Sequence, residues 1–329
     1  MKVSIALAIY NGAQYLEQQL FSILAQSQQP DELVICDDCS TDNSLNIAHS
    51  FANINPFKTI IKKNTCQLGY SKNFEQAIDL CTGDLIFISD QDDFWLPHKI
   101  QIMSNVMVDN PLCFIAINNT EIVNSTLIPS GITKIQQVRK LYGHSHGYIP
   151  GCCSVIRSSF KELYVPFPHD MLAYDSWLHF IGSAFNARKV IYDTLQYYRI
   201  HHNNTSRFAP NTIRRLRTFD RLKRVFHTFS SGKNNARRDY LRLELQLYKL
   251  LLSRLQGLHN KDNHLCSSNI ISSDNIAYIS AKIKTISLRI SFIEHRNPII
   301  LFRLFRLMLS NFSSDLISFH DLLSDLISK

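Results

Sequence analysis

The strongest constraint on the fold of this 329-residue chain is an apolar segment that runs directly into a group of carboxylates. Leu85–Ile88 is apolar without alternation, as in a strand that is buried on both faces of a parallel sheet, and Asp90, Asp92 and Asp93 follow it. Ligands of open α/β sheets bind at the carboxyl ends of such strands. Asp90 and Asp92 are two residues apart, so in extended chain both point to one side and can share a hard cation, Mg²⁺ or Mn²⁺. The motif predicts a divalent-metal site, and the alternative is an acidic loop that faces water.

The chain up to residue 118 alternates between strand and helix patterns. Apolar strand patterns lie near residues 3–9, 33–37, 57–62, 85–89 and 113–118. Helical patterns lie near residues 14–26, 43–53, 72–81 and 97–109. This alternation predicts a parallel-dominated sheet with helices on both faces. Residues 119–148 are polar and weakly periodic, so we expect loop structure there, and the chain beyond residue 207 has a helical pattern.

Polar residues also follow the first two predicted strands. The first strand ends in Tyr10, Asn11 and Gly12, and the second runs into Asp37 and Asp38. Carboxylates at a strand end can accept hydrogen bonds from a ribose or from a base N–H. These two strand ends therefore predict a nucleotide pocket.

The order of the three motifs resembles family 2 glycosyltransferases, which are nucleotide-sugar-dependent enzymes with a GT-A fold. The motifs are a strand with Tyr-Asn-Gly, a strand with Asp-Asp-Cys-Ser, and then Ser-Asp-Gln-Asp-Asp-Phe-Trp, which looks most like the rhamnosyltransferase-like branch of bacterial surface polysaccharide synthesis. The resemblance covers residues 1–207 and implies an α/β, Rossmann-like, mostly parallel sheet with helices on both faces. Residues 1–118 would form the nucleotide-sugar-binding half and residues 119–207 the acceptor and catalytic half, followed by a basic C-terminal helical extension over residues 208–329.

The resemblance also implies catalytic and metal-binding roles. Asp175 lies in the helical pattern of residues 169–185, and it would be the general base, with Asp170 as the competing candidate. Arg199 and His201, in a Tyr-Tyr-Arg-Ile-His segment, would lie near the diphosphate. His201 would then be a third metal ligand beside Asp90 and Asp92.

The donor site implied by the resemblance is shared among residues near the strand ends. Asp38, with Asp37 as the alternative, would bind the nucleoside, and Asp93 would orient the donor sugar. Lys72 can meet a phosphate, and Trp95 would shape the pocket wall. The remaining donor-binding residues are Tyr10, Asn11 and Arg199.

Composition and charge bear on the location of the protein. We find no run of about 18 apolar residues and no secretory cleavage site, so we expect a protein that stays in the cytoplasm. Cys152 and Cys153 are among the cysteines interpreted as reduced thiols that pack as small hydrophobic groups. Much of the formal charge of +8 comes from residues 199–261, which contain 15 Lys and Arg but three Asp and Glu.

A basic amphipathic pattern over residues 214–226 favours contact with the inner face of the plasma membrane, where each Lys or Arg contributes about 1 kcal/mol. The alternatives are a solvated helix face and a nucleic-acid patch, but no recognition motif supports the latter. The predicted function is inverting transfer of a sugar, such as rhamnose or another hexose, from a UDP- or dTDP-linked donor to a hydroxyl of a growing polysaccharide or lipid-linked oligosaccharide. The alternatives are a non-catalytic nucleotide-sugar-binding protein and a basic nucleic-acid-binding protein.

Overall fold

The computed structural model describes residues 1–142, 150–168, 173–201, 233–260, 272–295 and 297–309. The chain divides into two compact units, Met1–Thr218 and Phe219–Lys329. The predicted boundary between residues 207 and 208 lies outside the described residues. Asp170 and the basic pattern of residues 214–226 also lie outside them.

Strands and helices alternate through the first part of the first unit, as the sequence predicts. The strands are β1 (Val3–Ile9), β2 (Glu32–Asp37), β3 (Lys58–Lys63), β4 (Leu85–Asp90), β5 (Phe94–Trp95) and β6 (Ile115–Val123). The helices are α1 (Ala13–Leu24), α2 (Ser44–Ala52), α3 (Tyr70–Leu80) and α4 (Lys99–Asp109). All nine predicted elements of this part are confirmed, and the two-residue strand β5 is additional.

The expectation of loop structure over residues 119–148 is wrong for the described part of that segment. It contains the end of β6, then β7 (Pro129–Thr133) and α5 (Lys134–Tyr142). The remaining strands and α-helices in the described residues of the first unit are β8 (Ser154–Arg157), α6 (Lys161–Tyr164), α7 (Tyr174–Ala184) and β9 (Arg188–Arg199). The sequence pattern misses α5 because polar Lys134 and Gln137 are buried beside Ile135 and Val138, which hides the apolar period.

One mixed sheet organises the described residues of the first unit. Its strand order is β3-β2-β1-β4-β8-β6-β9-β5, and β7 pairs with β6. Strands β3, β2, β1 and β4 are parallel neighbours. Strand β8 lies antiparallel between β4 and β6, so β6 runs in the same direction as β4. The five strands predicted from the sequence therefore share one direction, and their carboxyl ends share one edge.

Helices cover both faces of the parallel strands. Alternate side chains of β1, such as Ile5 and Leu7, join one core cluster with Leu16 and Leu20 of α1 and with residues of α2 and α4. Helix α3 also contacts β1 and β2, but its buried Phe74, Ala77 and Ile78 are not part of that cluster, as expected for a helix on the opposite face. Burial on both faces explains why β1 and β2 are apolar without alternation.

The second unit is helical, as predicted for the C-terminal extension. Its described helices are α8 (Lys233–His259), α9 (Ser273–His295) and α10 (Pro298–Leu309). Arg242 of α8 pairs with Glu294 of α9 at 2.7 Å, and Phe292 of α9 is in one apolar cluster with Leu304 of α10. Among the described helices, none has the length and apolar character needed to cross a bilayer.

The side chain of Gln91 joins the ends of β1 and β4. Its Oε1 accepts a hydrogen bond from the Tyr10 backbone N–H at 2.8 Å, and its Nε2 donates to the Tyr10 carbonyl at 2.9 Å. Gly12 leaves room for this amide, because a Cβ at Gly12 would lie 2.2 Å from Gln91 Oε1. The amide therefore fixes the turn that follows β4.

A buried carboxylate, Glu32, ties strands together at the opposite edge of the sheet. Its oxygens accept hydrogen bonds from Ser4 Oγ at 2.7 Å, from the Thr82 N–H at 2.8 Å and from Lys58 Nζ at 3.0 Å. Burial alone would raise the pKa of Glu32, but the hydrogen bonds from Thr82, Ser4 and Lys58 outweigh it and lower the pKa to about 2. The ionised carboxylate is therefore part of the fold.

We expect Glu32→Gln to destabilise the protein by about 2–3 kcal/mol at neutral pH, because it removes a charge that several donors stabilise. Since the folded pKa lies below the unfolded value, the stability from Glu32 is present above about pH 4.5 and is lost as the pH falls towards 2. The free energy of unfolding, measured with urea at several pH values, should therefore fall less steeply at acid pH for the variant than for the parent protein. Lys58→Met is the control and should cost less than about 1 kcal/mol, because Lys58 is half exposed. Equal stability of Glu32→Gln and parent protein across this range would contradict the assignment.

We expect Gly12→Ala and Gln91→Ala to be strongly non-additive. Gly12 has a φ of −106°, which alanine tolerates, so the cost of Gly12→Ala should come from displacing the Gln91 amide and should be about 1–2 kcal/mol. Urea unfolding of both single variants and the double variant measures this coupling. In the double variant the second substitution should add little. Gly257→Ala, whose Cβ would meet nothing within 4 Å, is the control substitution. Simple addition of the two single costs would argue against the contact.

Candidate active site at the carboxyl edge of the sheet

Carboxylates converge where the parallel strands end. The register pairs Ala8 of β1 with Asp90 of β4, and Ile9 of β1 with Asp37 of β2. One oxygen of Asp90, one oxygen of Asp93 and the Sγ of Cys152 all lie within 4.8 Å of one another. We call these three residues the acidic cluster.

The acidic cluster differs from the pair expected from the sequence. Asp90 and Asp92 were expected to point to one side of an extended chain, but the chain turns at Gln91 and Asp92. The turn brings Asp93 beside Asp90 and directs the Asp92 carboxylate elsewhere. The rule of alternating side chains does not apply because β4 ends at Asp90.

A buried polar network supports Asp93 from below. Gln196 Nε2 donates to Asp93 Oδ2 at 3.1 Å, and Lys99 Nζ donates to Gln196 Oε1 and, at 2.9 Å, to the Cys152 carbonyl. The ammonium also lies 4.1 Å from the ring centroid of Trp95. Trp95 is 1% exposed, so it lies beneath the site and not on the pocket wall.

The electrostatics of the acidic cluster are those of crowded carboxylates, of which Asp93 is buried and Asp90 is only partly exposed. Burial raises the pKa of Asp90 well above its usual value, and the charges of Asp93, Asp92 and Asp175 raise it further. Burial and the charge of Asp92 raise the pKa of Asp93 to about 7, although Lys99 and Arg199 oppose this. Burial lowers the pKa of Lys99 to about 8. The cluster therefore favours a proton or a cation.

Asp92, Arg199 and His201 form a second group beside the acidic cluster. His201 Nε2 lies 2.7 Å from Asp92 Oδ2, and its ring packs 4.7 Å from that of Tyr15. The Arg199 guanidinium is buried, with donations to the Asp92 carbonyl at 2.9 Å, to the Ser125 carbonyl at 2.5 Å and to Gln18 Oε1 at 2.8 Å. Arg199 thus holds the turn that carries Asp92, and His201 contacts Asp92.

Asp175, the predicted base, lies in the first turn of α7 and is buried. Its charge, with that of Asp90, helps to raise the pKa of Tyr70, for which burial is the larger cause. Tyr174 packs against Tyr70 at 5.5 Å and against Phe74 at 4.5 Å between ring centroids. Asp175, Asp90 and these rings therefore form one neighbourhood.

Gly151 borders this neighbourhood at close range. A Cβ at Gly151 would lie 2.3 Å from the Tyr174 hydroxyl. Gly151 opens the turn that presents Cys152, so glycine is needed here for close approach between the turn and the ring.

The side chains that were predicted to bind the nucleoside accept hydrogen bonds from nearby backbone N–H groups. Asp38 accepts hydrogen bonds from the N–H groups of Leu68 at 2.7 Å and Gly69 at 2.9 Å, and Asp37 accepts from the Ser40 N–H at 3.2 Å. Asn11, at a φ of 47°, accepts from the Thr41 N–H at 2.8 Å. These side chains shape the two loops at the strand ends.

Two other predicted donor-site residues are exposed. Tyr10 is 43% exposed at the end of β1. Lys72 is exposed on α3 and lines a cavity with Lys62, Gln76 and Val165. The structure therefore groups Lys72 with these residues and not with the acidic cluster.

The acidic cluster fits a divalent cation. Asp93 Oδ1 is buried and has no hydrogen-bond partner among the described residues, and Asp90 remains partly exposed. Carboxylate oxygens are the ligands that Mg²⁺ and Mn²⁺ prefer. A cation would also relieve the repulsion that raises the pKa of both carboxyls.

The sequence analysis missed Lys99, Gln196, Cys152 and Tyr70 as site residues. Lys99 and Gln196 carry no local signal, because each meets the site through contacts between distant segments. Cys152 was interpreted as a packing residue. An aromatic residue directly after Gly69 at a helix start was the available signal for Tyr70.

Comparison with known proteins agrees with this geometry. Residues 4–164 match the family model described as Glycosyl transferase family 2. The dTDP-rhamnosyl transferase RfbG of Shigella flexneri is 32% identical over 220 residues, which are 60% of this chain and 72% of RfbG. The UDP-Glc:alpha-D-GlcNAc-diphosphoundecaprenol beta-1,3-glucosyltransferase WfaP of Escherichia coli is 28% identical over 208 residues, which are 62% of this chain and 79% of WfaP.

Solved structures share the fold at low sequence identity. Residues 1–349 of S. aureus TarS in complex with UDP superpose with a TM-score of 0.52 at 16% identity, covering 87% of this chain and 91% of that structure. The same protein in complex with UDP-GlcNAc gives a TM-score of 0.53, again at 16% identity, over 91% of this chain and 89% of that structure. The fold, the family model and the identity to RfbG agree, and the chain belongs to glycosyltransferase family 2.

Proposed function

We propose that this glycosyltransferase transfers a hexose or deoxyhexose, such as rhamnose, from a UDP- or dTDP-linked donor with inversion at the anomeric carbon. The observation that carries the proposal is the pair of carboxylate oxygens from Asp90 and Asp93 at the carboxyl ends of the parallel strands, with Asp175 near enough for its charge to raise the pKa of Asp90. A leaving diphosphate and an attacking hydroxyl must meet within one cleft. Asp90 would help to hold the cation that neutralises the diphosphate, and Asp175 would accept the proton of the hydroxyl.

The donor side of the proposed reaction uses the two carboxylates of the acidic cluster. Asp90 and Asp93 would hold Mg²⁺ or Mn²⁺, with Asp92 and His201 beside them, and the ion would neutralise charge on the leaving diphosphate. Lys99 and Gln196 orient Asp93 from below, and Arg199 orients Asp92. We still predict that the nucleoside pocket depends on Asp37, Asp38 and Asn11, because these side chains hold the loops at the strand ends.

The acceptor side uses Asp175 as general base. Its carboxylate would take the proton of the acceptor hydroxyl while that oxygen attacks the anomeric carbon from the side opposite the leaving group, which inverts the configuration. Tyr70 and Tyr174 lie near enough for the charge of Asp175 to raise the pKa of both hydroxyls, and aromatic faces of this kind also pack against sugar rings. Asp170 stays the competing candidate for the base.

We infer a lipid-linked or polymeric glycan acceptor from the relatives. The name of RfbG specifies a dTDP-rhamnosyl donor, and that of WfaP specifies a diphosphoundecaprenol-linked acceptor. An acceptor of this kind suits a protein that works at the inner face of the plasma membrane through its basic helical extension, proposed as residues 208–329. Exposed Ile299, Phe302 and Arg303 on α10 are consistent with such contact.

We expect carboxamide variants to identify the residues that hold the metal. Asp90→Asn and Asp93→Asn should each weaken Mn²⁺ binding in the presence of UDP or dTDP by at least about tenfold, because each removes an anionic oxygen ligand. Titration calorimetry, or the loss of the free Mn²⁺ electron paramagnetic resonance signal, measures this. Asp92→Asn tests the ligand set expected from the sequence, and exposed Asp193→Asn is the matched control. Unchanged Mn²⁺ affinity in both Asp90→Asn and Asp93→Asn would rule out the acidic cluster.

We expect Asp175→Asn to lower the rate of sugar transfer by about 10²–10⁴-fold while donor binding is retained, because the amide cannot accept the proton. Transfer is measured with a panel of nucleotide sugars and acceptors, and donor binding by the thermal shift of the same protein. Asp193→Asn is again the control, and Asp170→Asn tests the competing base. Full transfer by Asp175→Asn would overturn its assignment, and a parent protein that binds donors but transfers none would support a non-catalytic binding protein.

A further inference from the structure

Cys152 contributes a thiol to a group of hard oxygen ligands. Its Sγ lies within 4.8 Å of one carboxylate oxygen of Asp90 and of one carboxylate oxygen of Asp93. The side chain is fully buried, so the thiol is held at this position. Gln196 Nε2 lies 3.6 Å from the same sulfur, so one amide contacts both Asp93 and Cys152.

A second observation at the same place indicates a ligand. Asp93 is 1% exposed, and its Oδ1 has no hydrogen-bond partner among the described residues. A buried carboxylate oxygen without a donor is costly, and a bound cation is one of the few groups that satisfies it. The carboxylate that carries this oxygen belongs to the same acidic cluster as the Cys152 sulfur.

We propose that Asp90, Asp93 and Cys152 form a binding site for thiophilic divalent cations, with Zn²⁺ as the physiological member of the class. The inference rests on the proposed function in one respect, since the ion would compete with Mg²⁺ or Mn²⁺ for Asp90 and Asp93. Occupation by Zn²⁺ would then inhibit transfer. Cys152 thus makes the enzyme sensitive to the supply of zinc.

The chemistry of the three ligands matches this class of ion. Mg²⁺ gains little from sulfur, whereas Zn²⁺ and Cd²⁺ bind thiolate strongly, and the general affinity order places Zn²⁺ well above Mn²⁺. Binding replaces the thiol proton by the metal, so one S–H bond breaks, one S–metal bond forms and one proton is released to solvent. Partly exposed Asp90 provides the way in for the ion.

The geometry needs only small movements. A tetrahedral Zn²⁺ with Zn–O of about 2.0–2.2 Å and Zn–S of about 2.3 Å has neighbouring ligand atoms about 3.5 Å apart. The three ligand atoms already lie within 4.8 Å of one another, so shifts of about 1 Å bring them to these separations. The fourth position stays open to water or to a phosphate oxygen. The Lys99 ammonium is directed to the Cys152 carbonyl and to Gln196, which takes its donors away from the ion.

The test uses Cd²⁺ without nucleotide, so that it does not depend on sugar transfer. The full-length protein carries Cys39→Ser, Cys66→Ser and Cys266→Ser as a background, which removes cysteines outside the acidic cluster that are not buried or not described. Titration with Cd²⁺ should produce the ultraviolet charge-transfer absorption of a cadmium–thiolate bond. In this background, Cys152→Ser should abolish the absorption and lower the Cd²⁺ affinity by about 100-fold, while Mn²⁺ affinity changes by less than about threefold.

Matched controls make each outcome decisive. Cys153→Ser removes the neighbouring buried thiol and should keep the absorption, whereas Asp93→Asn should weaken Cd²⁺ binding. Cys152→Ala, checked by its unfolding transition, repeats the test if the serine variant folds poorly. Absence of the absorption in the folded background protein, or its persistence in Cys152→Ser, would overturn the proposal. A background protein that gives the Cd²⁺ signal but does not bind Mn²⁺ would instead contradict the proposed function and leave the thiophilic site supported.

Discussion

Repulsion among buried carboxylates is the constraint on which the site depends. Asp90 and Asp93 lie together, Asp92 adds charge, and burial makes each ionised form more costly. The protein provides only a partial counter-charge, because Lys99 is itself buried and its pKa is lowered to about 8. A cation bound there would relieve this repulsion, so the proposed affinity for an ion would follow from the fold.

The neighbouring residues keep the carboxylates from separating. Gln91 binds the turn to β1, Arg199 binds the Asp92 carbonyl, and Gln196 binds Asp93. Each of these side chains uses several hydrogen bonds on backbone or on another side chain, so none can rotate without losing bonds. Arg199, which was expected near the diphosphate, therefore orients the turn that carries Asp92, beside the residues that would hold the ion.

The sequence predicts the elements of the first unit well and the site only in part. Continuous apolar runs in the sequence predict buried parallel strands, and the polar residues that follow them predict the edge of the sheet where Asp37, Asp90 and Asp93 lie. The direction of the Asp92 side chain was not predictable, because contacts with Tyr10 and Arg199 from distant segments decide the turn. Helix α5 was missed for a similar reason, since buried Lys134 looks like a surface residue in the sequence.

The loops at the strand ends explain why this fold would handle a diphosphate through a cation. In many α/β proteins, the free N–H groups at a helix start bind phosphate. Here the N–H groups of Asn11, Gly12 and Ala13, which lead into α1, bind Ser40, Ser44 and Asp42. The N–H groups of Leu68 and Gly69, which lead into α3, bind Asp38. With these donors engaged and anionic side chains beside them, we expect an incoming diphosphate to meet repulsion unless an ion at Asp90 and Asp93 neutralises the local charge.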